Sequence, residues 1–452
     1  MNILLLLSLI LPLVILIIYH KQKRQQKSLH PPGPPGLPFI GNLHQFDTSA
    51  PHIYLWQLSK KYGPLMSMKL GSVPVLVVSS PKMAKEVLKT HDLVFSSRPR
   101  VLGQDKLSYN RLDVAFAPYS ESWRELRKIF VLHLLSNKQV QSFRLIREEE
   151  VFRMIRSLSV RGEFGQATNL SDDVVSNEHV YLLSGMIGRL DKVCKELDEF
   201  YQELIDEHLD PSWPKSENPN ILDLLIKLKE EKACSIDLNW DHVKAILMDI
   251  FIAGTDTGAA TIIWTMTALM KHPTSMKKLQ NEIRELIGEK AQVNEDDLPK
   301  LPYLKAVIKE TLRLYPPAPL LLPRETLEKC NLNGYTIPPK TLVYVNAWAI
   351  ARDPEYWENP NEFQPERFLN TNVDIIGQDF QVIPFGAGRR GCPGISMGLA
   401  TVEIALANLV YSFDWDLPSG MKKEDIDTEV LPGLTMHKKI PLSLVPRNNK
   451  YP

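Results

Sequence analysis

The chain has 452 residues, enough for one large core or two or three smaller ones. Lys plus Arg and Asp plus Glu both number 53, so the formal net charge is zero and no global basic field marks nucleic acid as a partner. The four cysteines, Cys194, Cys234, Cys330 and Cys392, lack CxxC spacing, which argues against a disulfide framework or structural zinc and suits a reducing compartment.

Residues 3–18 are apolar except for Ser8, a run near the lower limit for spanning a bilayer. Lys21, Lys23, Arg24 and Lys27 follow without an acid, so the positive-inside rule places the remainder in the cytoplasm. No small-x-small cleavage site follows the run, and the spacing predicts an uncleaved single-pass anchor over 1–20. Residues 21–40 read as a basic and proline-rich linker, with 31–38 a stiff spacer rather than a packed element. The rest, 41–452, reads as one folded body.

Residues 67–78 alternate around Gly71-Ser72 and predict a β-hairpin. Ser80 then caps a helix whose first position is Pro81. A helix over 119–135 sets Trp123 and Arg127 four apart on one face, where both could donate to a carboxylate-bearing ligand. Residues 136–235 are polar and the least legible; 161–177 is a poor helix former and 211–219 a loop.

A long helix over 241–271 is apolar almost all round and therefore central. Inside it, small Ala253 and Gly254 leave a gap, and Asp256 stands beside Thr257. An acid beside a hydroxyl in an oily helix costs free energy unless paired or used, and this pair could relay protons. Glu310 and Arg313 lie three apart in a helix over 304–315, a spacing that alone most often means a surface salt bridge. Residues 318–322, with Ala318, Leu320, Leu321 and Leu322, are wholly apolar, a strand follows over 341–346, and Arg367 lies in Pro-Glu-Arg-Phe.

Near the C-terminus, residues 385–394 read Phe-Gly-Ala-Gly-Arg-Arg-Gly-Cys-Pro-Gly. Three glycines around Cys392 allow close approach of the backbone to a flat ligand. Pro393 and Gly394 open a helix whose positive end would lower a cysteine's pKa. Arg390 adds a cation suited to a carboxylate, and Phe385 gives the sulfur an apolar cover.

The pattern Phe385-x-x-Gly388-x-Arg390-x-Cys392-x-Gly394 resembles the haem signature of the cytochrome P450 monooxygenases, and is closest to their plant microsomal group, which includes aldoxime-metabolising enzymes. The resemblance implies a mainly α fold with a small β region. It implies haem ligated by Cys392, propionates held by Trp123, Arg127 and Arg390, and a proton relay through Thr257 and Asp256. It also implies a structural network of Glu310, Arg313 and Arg367, and a substrate pocket lined by Ala253, Gly254, Ala318, Leu320, Leu321 and Leu322. The implied reaction inserts one oxygen atom of O2 into a small apolar metabolite. Electrons would come from NADPH through a separate flavoprotein reductase at the endoplasmic reticulum membrane. The segment between about 136 and 235 is shorter than the family's, which leaves room for a catalytically inactive, membrane-anchored relative. A haem-thiolate isomerase or dehydratase is a further alternative, against which Thr257 counts.

Overall fold

The computed structural model describes residues 30–163, 165–174, 187–213 and 219–449, so the expected anchor over 1–20 lies outside the described residues. Helices dominate the body, as the periodicity predicts. We label those that position the site α1 (Glu121–Lys128), α2 (Arg144–Glu163), α3 (Ile187–Leu209), α4 (Trp240–Lys271), α5 (Pro273–Ile287), α6 (Pro302–Leu314) and α7 (Ile395–Ser412). The principal sheet joins β1 (Leu65–Leu70), β2 (Val73–Val78), β3 (Arg324–Glu325) and β4 (Leu342–Val345) in the order β1-β2-β4-β3. The hairpin closes where expected: Leu70 pairs with Val73 across a turn whose Gly71 has φ +63°.

The proline-rich segment is a packed strap, which corrects the spacer expectation. Ser67 donates its N–H to the Pro32 carbonyl at 2.8 Å and its hydroxyl to that of Pro31 at 2.6 Å. A Cβ on Gly33 would stand 1.6 Å from the Ser67 carbonyl oxygen, so only glycine lets the strap lie against β1. Proline lacks a donor but keeps its carbonyl, and this edge uses the carbonyls.

Helix α4 organises the core. The Asn239 side chain caps it by accepting from the His242 N–H at 3.0 Å. Val243, Ile246 and Leu247 in its first half pack with Leu126 and Phe130 and with Tyr201 and Ile205 of α3. Ile262, Ile263, Met266 and Leu269 in its second half pack with α5, α6 and α7. Between the halves, Ala253, Gly254 and Thr255 are exposed, so an otherwise buried helix is open at the turn that carries the candidate relay. Helices α4 and α7 are each apolar and long enough to cross a membrane, yet half of each apolar stretch is buried inside the body, as core helices require.

Part of the segment read as a poor helix former is helical. Helix α2 continues through Gly162, where a Cβ would come within 3.1 Å of the Pro446 carbonyl oxygen; the glycine lets the strand Ser443–Asn448 approach. Thr168 and Asn169 pair antiparallel with that strand, and Leu170–Val174 forms a short helix behind fully buried Leu170. Tertiary packing overrides weak local propensity here.

Candidate active site

The cysteine loop is shaped by its backbone. Gly386 and Gly388 have φ +67° and +72°, and the Cys392 N–H donates to the Phe385 carbonyl at 2.9 Å, closing the loop beneath α7. A Cβ on Gly388 would lie 2.1 Å from the Leu88 carbonyl oxygen, so this glycine seats the loop against the helical turn Glu86–Thr90. The Cys392 sulfur accepts from the Gly394 N–H at 3.3 Å, and Arg127 adds an attractive charge. The protein packed around the sulfur pushes the thiol up, while the Gly394 N–H and the Arg127 charge act in the opposite sense. One side of Cys392 is nevertheless exposed, as are the middle turn of α4 and Ser396 early in α7.

Arginines crowd this loop. Arg390 donates to the carbonyls of Ser96 at 2.7 Å, Val114 at 3.2 Å and Ala117 at 2.7 Å, and its guanidinium lies 3.9 Å from the Trp123 ring centroid. The Trp123 indole N–H also goes to the Val114 carbonyl, at 3.0 Å. These two side chains therefore tie residues 96–117 to the cysteine loop. Arg127 donates to the Gly391 carbonyl at 2.6 Å. Two cations that sequence reasoning missed join them: Arg98, bonded to the carbonyls of Ala115, Leu322 and Pro323, and Arg324, bonded to those of Phe95 and Ala387. Burial and then Arg324 push Arg390 down to about 9, while burial pushes Arg324 down to about 10. Asp113 near Arg390 and Asp92, 3.8 Å from Arg324, offset part of this positive charge, and what remains suits an anionic ligand.

On α4 the Thr257 hydroxyl donates to the Ala253 carbonyl at 2.7 Å, and Thr261 and Thr265 repeat this bond one and two turns on. Asp256 is held by a residue no local pattern points to: its Oδ1 lies 2.7 Å from His437 Nε2. Among the described residues, a Cβ on Gly254 or on Gly258 would meet nothing within 4 Å, so the space beside this turn is open to them.

The remaining candidates separate. Arg313 makes two bonds to Glu310, at 2.7 and 2.8 Å, with both side chains fully buried, and Arg367 lies 3.4 Å from the same carboxylate. The apolar stretch after α6 does not form one wall. Leu320 packs beside Met66 and Val75 of the N-terminal sheet and Leu55 of the helix Pro51–Tyr62, whereas Leu321 belongs to a second cluster and lies 3.7 Å from the Cβ position of Gly386. Ala318 and Leu322 are half-buried.

A thiol at a helix start, a threonine–acid turn on the long central helix and arginines gathered around the cysteine loop are the features of a haem-thiolate site. The residues fit haem: an accessible sulfur, an open helix turn and cations for two carboxylates. The cytochrome P450 family profile matches residues 31–177 and 173–443, and the chain belongs to that family. It is 47% identical to 6,7,8-trihydroxycoumarin synthase of Pastinaca sativa over 494 aligned residues, covering 97% of each chain. It is 48% identical to 5-OH-xanthotoxin synthase of Ammi majus, covering 99% and 98%, and 44% identical to strychnine-11-hydroxylase of Strychnos nux-vomica, covering 96% and 95%. Among solved structures, a zebra fish cytochrome P450 with progesterone superposes at a TM-score of 0.75 and 27% identity, over 88% of this chain and 99% of that one. The chain is thus a monooxygenase of the plant group that holds the furanocoumarin synthases. Members of the family carry a thiolate-ligated haem and receive electrons from a redox partner.

Proposed function

We propose that the chain hydroxylates a flat, apolar plant metabolite of the coumarin class, with haem held by Cys392 and electrons from NADPH through a membrane flavoprotein reductase. The single observation that carries the chemistry is that accessible Cys392, at the start of α7, and the open Ala253–Thr257 turn of α4 belong to two helices packed against each other. When bound, haem supplies oxygen activation. The chain's residues do the rest: Arg127, with Arg98 and Arg324, balances the propionates while Arg390 and Trp123 hold their loop in place. Asp256 and the Thr257 hydroxyl pass protons inward along α4. Glu310, Arg313 and Arg367 fix the segment that leads into the cysteine loop. The substrate class rests on the names of the relatives and on the apolar character of Ala253, Gly254 and Leu321. We assign residues 1–20 to a single-pass anchor in the endoplasmic reticulum membrane, with the body in the cytoplasm.

A second reading has its own support. The alignment with the Pastinaca sativa enzyme spans 494 residues against the chain's 452, and the family match falls into two stretches that meet near 173–177. Both features accord with a shortened middle, and a protein so shortened could be an inactive relative. The reduced carbon-monoxide difference spectrum of the full chain separates the two readings. A thiolate-type band followed by turnover of xanthotoxin, used as probe, supports the monooxygenase; a colourless protein supports the inactive relative.

A further inference from the structure

The C-terminal hairpin lies along one stripe of α4. Asp256, Ala260 and Trp264 recur every fourth residue and so share a face. Against it stands the turn closed by the Val430–Lys438 bridge and by the Leu431 N–H bonded to the His437 carbonyl at 2.9 Å. Three ties fix this turn. The Trp264 indole donates to the Met436 carbonyl at 2.6 Å, and Met436 packs beside Ala260 and Trp264. The Met436 N–H donates to the Pro317 carbonyl at 2.8 Å, just beyond α6. Lys438 donates to the Asp427 carbonyl, and its ammonium lies 5.2 Å from the Trp264 ring centroid. The His437 ring is therefore carried on a rigid arm to Asp256.

We propose that His437 is a positioning residue of the oxygen-activating relay: it orients the Asp256 carboxylate and connects it to solvent. The inference rests on the reading of Asp256 and Thr257 as that relay. The His437 side chain is 29% exposed and that of Asp256 14%, so the pair forms a gradient from water to the interior of α4. Protonated His437 gives its Nε2 proton to Asp256; one N–H bond breaks, one O–H bond forms, and neutral imidazole recovers a proton from water. No electron moves. The lysines of the turn and of the end of α4 are engaged elsewhere: Lys439 with Glu429 at 2.6 Å, Lys438 with the Asp427 carbonyl, and Lys271 of α4 with the Ile426 carbonyl at 2.9 Å. The sequence alone hides this pair, because 181 residues separate its members.

The test uses the full, haem-loaded chain with NADPH and reductase, and measures the share of consumed NADPH released as hydrogen peroxide with xanthotoxin as probe. His437→Gln keeps a donor but cannot exchange a proton as imidazole does. It should raise the peroxide share roughly fivefold, as should Asp256→Asn, and the double variant should exceed neither. Additive effects in the double variant would show that His437 acts other than through Asp256. Independently of turnover, 15N-histidine spectra of the reduced carbon-monoxide form should contain a hydrogen-bonded Nε2–H signal that Asp256→Ala, which leaves no acceptor, abolishes. An unchanged peroxide share in His437→Gln, with the thiolate band intact, overturns this proposal alone. Absence of that band in the parent chain overturns the haem reading and the relay with it.

Discussion

Gly388 shows how a single missing methyl decides whether the loop can form. Its φ of +72° disfavours any side chain, and a Cβ would collide with the Leu88 carbonyl oxygen at 2.1 Å, a backbone atom that cannot swing aside. Gly388→Ala should cost about 2–4 kcal/mol and leave little haem-loaded protein, read by thermal melting and by the ratio of Soret to protein absorbance. Gly254→Ala is the contrasting change, since its Cβ would meet nothing within 4 Å. It should leave the melting temperature equal or higher, because alanine is the better helix former by about 1 kcal/mol. Beside these, Cys392→Ser removes the one soft ligand. The reduced carbon-monoxide band should lose its thiolate character while far-ultraviolet circular dichroism stays the same, and a retained thiolate band would refute the ligand assignment.

At the scale of elements, α6 carries the most concentrated polar burial. Glu310 accepts from Arg313 twice and from the Gln364 N–H at 2.8 Å, and Arg313 spends its remaining donors on the carbonyls of Ala351, Pro360 and Glu362. Glu310→Gln turns one acceptor into a donor facing a guanidinium with nowhere to go. The expected loss is about 3–5 kcal/mol, measured by urea unfolding. Arg367→Ala should cost less, since that guanidinium is 11% exposed and only 3.4 Å from the carboxylate, and its Nη2 also bonds the Asn359 carbonyl. An equal loss from both changes would mean that the network acts as one unit. The Glu-x-x-Arg spacing was legible in the sequence, but its burial was not, because burial is set by Trp357 and the segment around Pro360 folding over it. The same limit explains the misread proline strap. Proline density reports stiffness, whereas the partner carbonyl bonds to Ser67 come from a strand over thirty residues away. Elements with their own period or cap, such as α4 and the Gly71 hairpin, needed no such partner and were read correctly.

For the whole molecule, the loop over residues 108–117 joins the cysteine loop to the central helix, and its anchor is a pair of buried acids. Asp249 of α4 accepts from the N–H groups of Val114 at 2.7 Å and Ala115 at 3.3 Å, and Asp113 accepts from that of Phe116 at 2.9 Å. Burial pushes Asp113 up to about 6, and burial and then the Asp113 charge push Asp249 well above the usual carboxylate range. The sign follows from linkage. A carboxyl raised in the folded state binds its proton more tightly there than when unfolded. Its contribution is thus fully present below the ordinary carboxylate pKa and is lost as pH rises through about 6. Ordinary surface carboxylates act in the opposite sense, so the wild-type curve alone does not isolate the pair. Asp113→Asn does, since its amide oxygen can still accept from Phe116 and its amide can donate to Asp249. The melting temperature of Asp113→Asn relative to wild type should climb between about pH 4 and pH 6.5, by the equivalent of roughly 2–3 kcal/mol, and level off above. A difference independent of pH would show that the two acids titrate normally, and that the loop is held by hydrogen bonds without any penalty for buried charge.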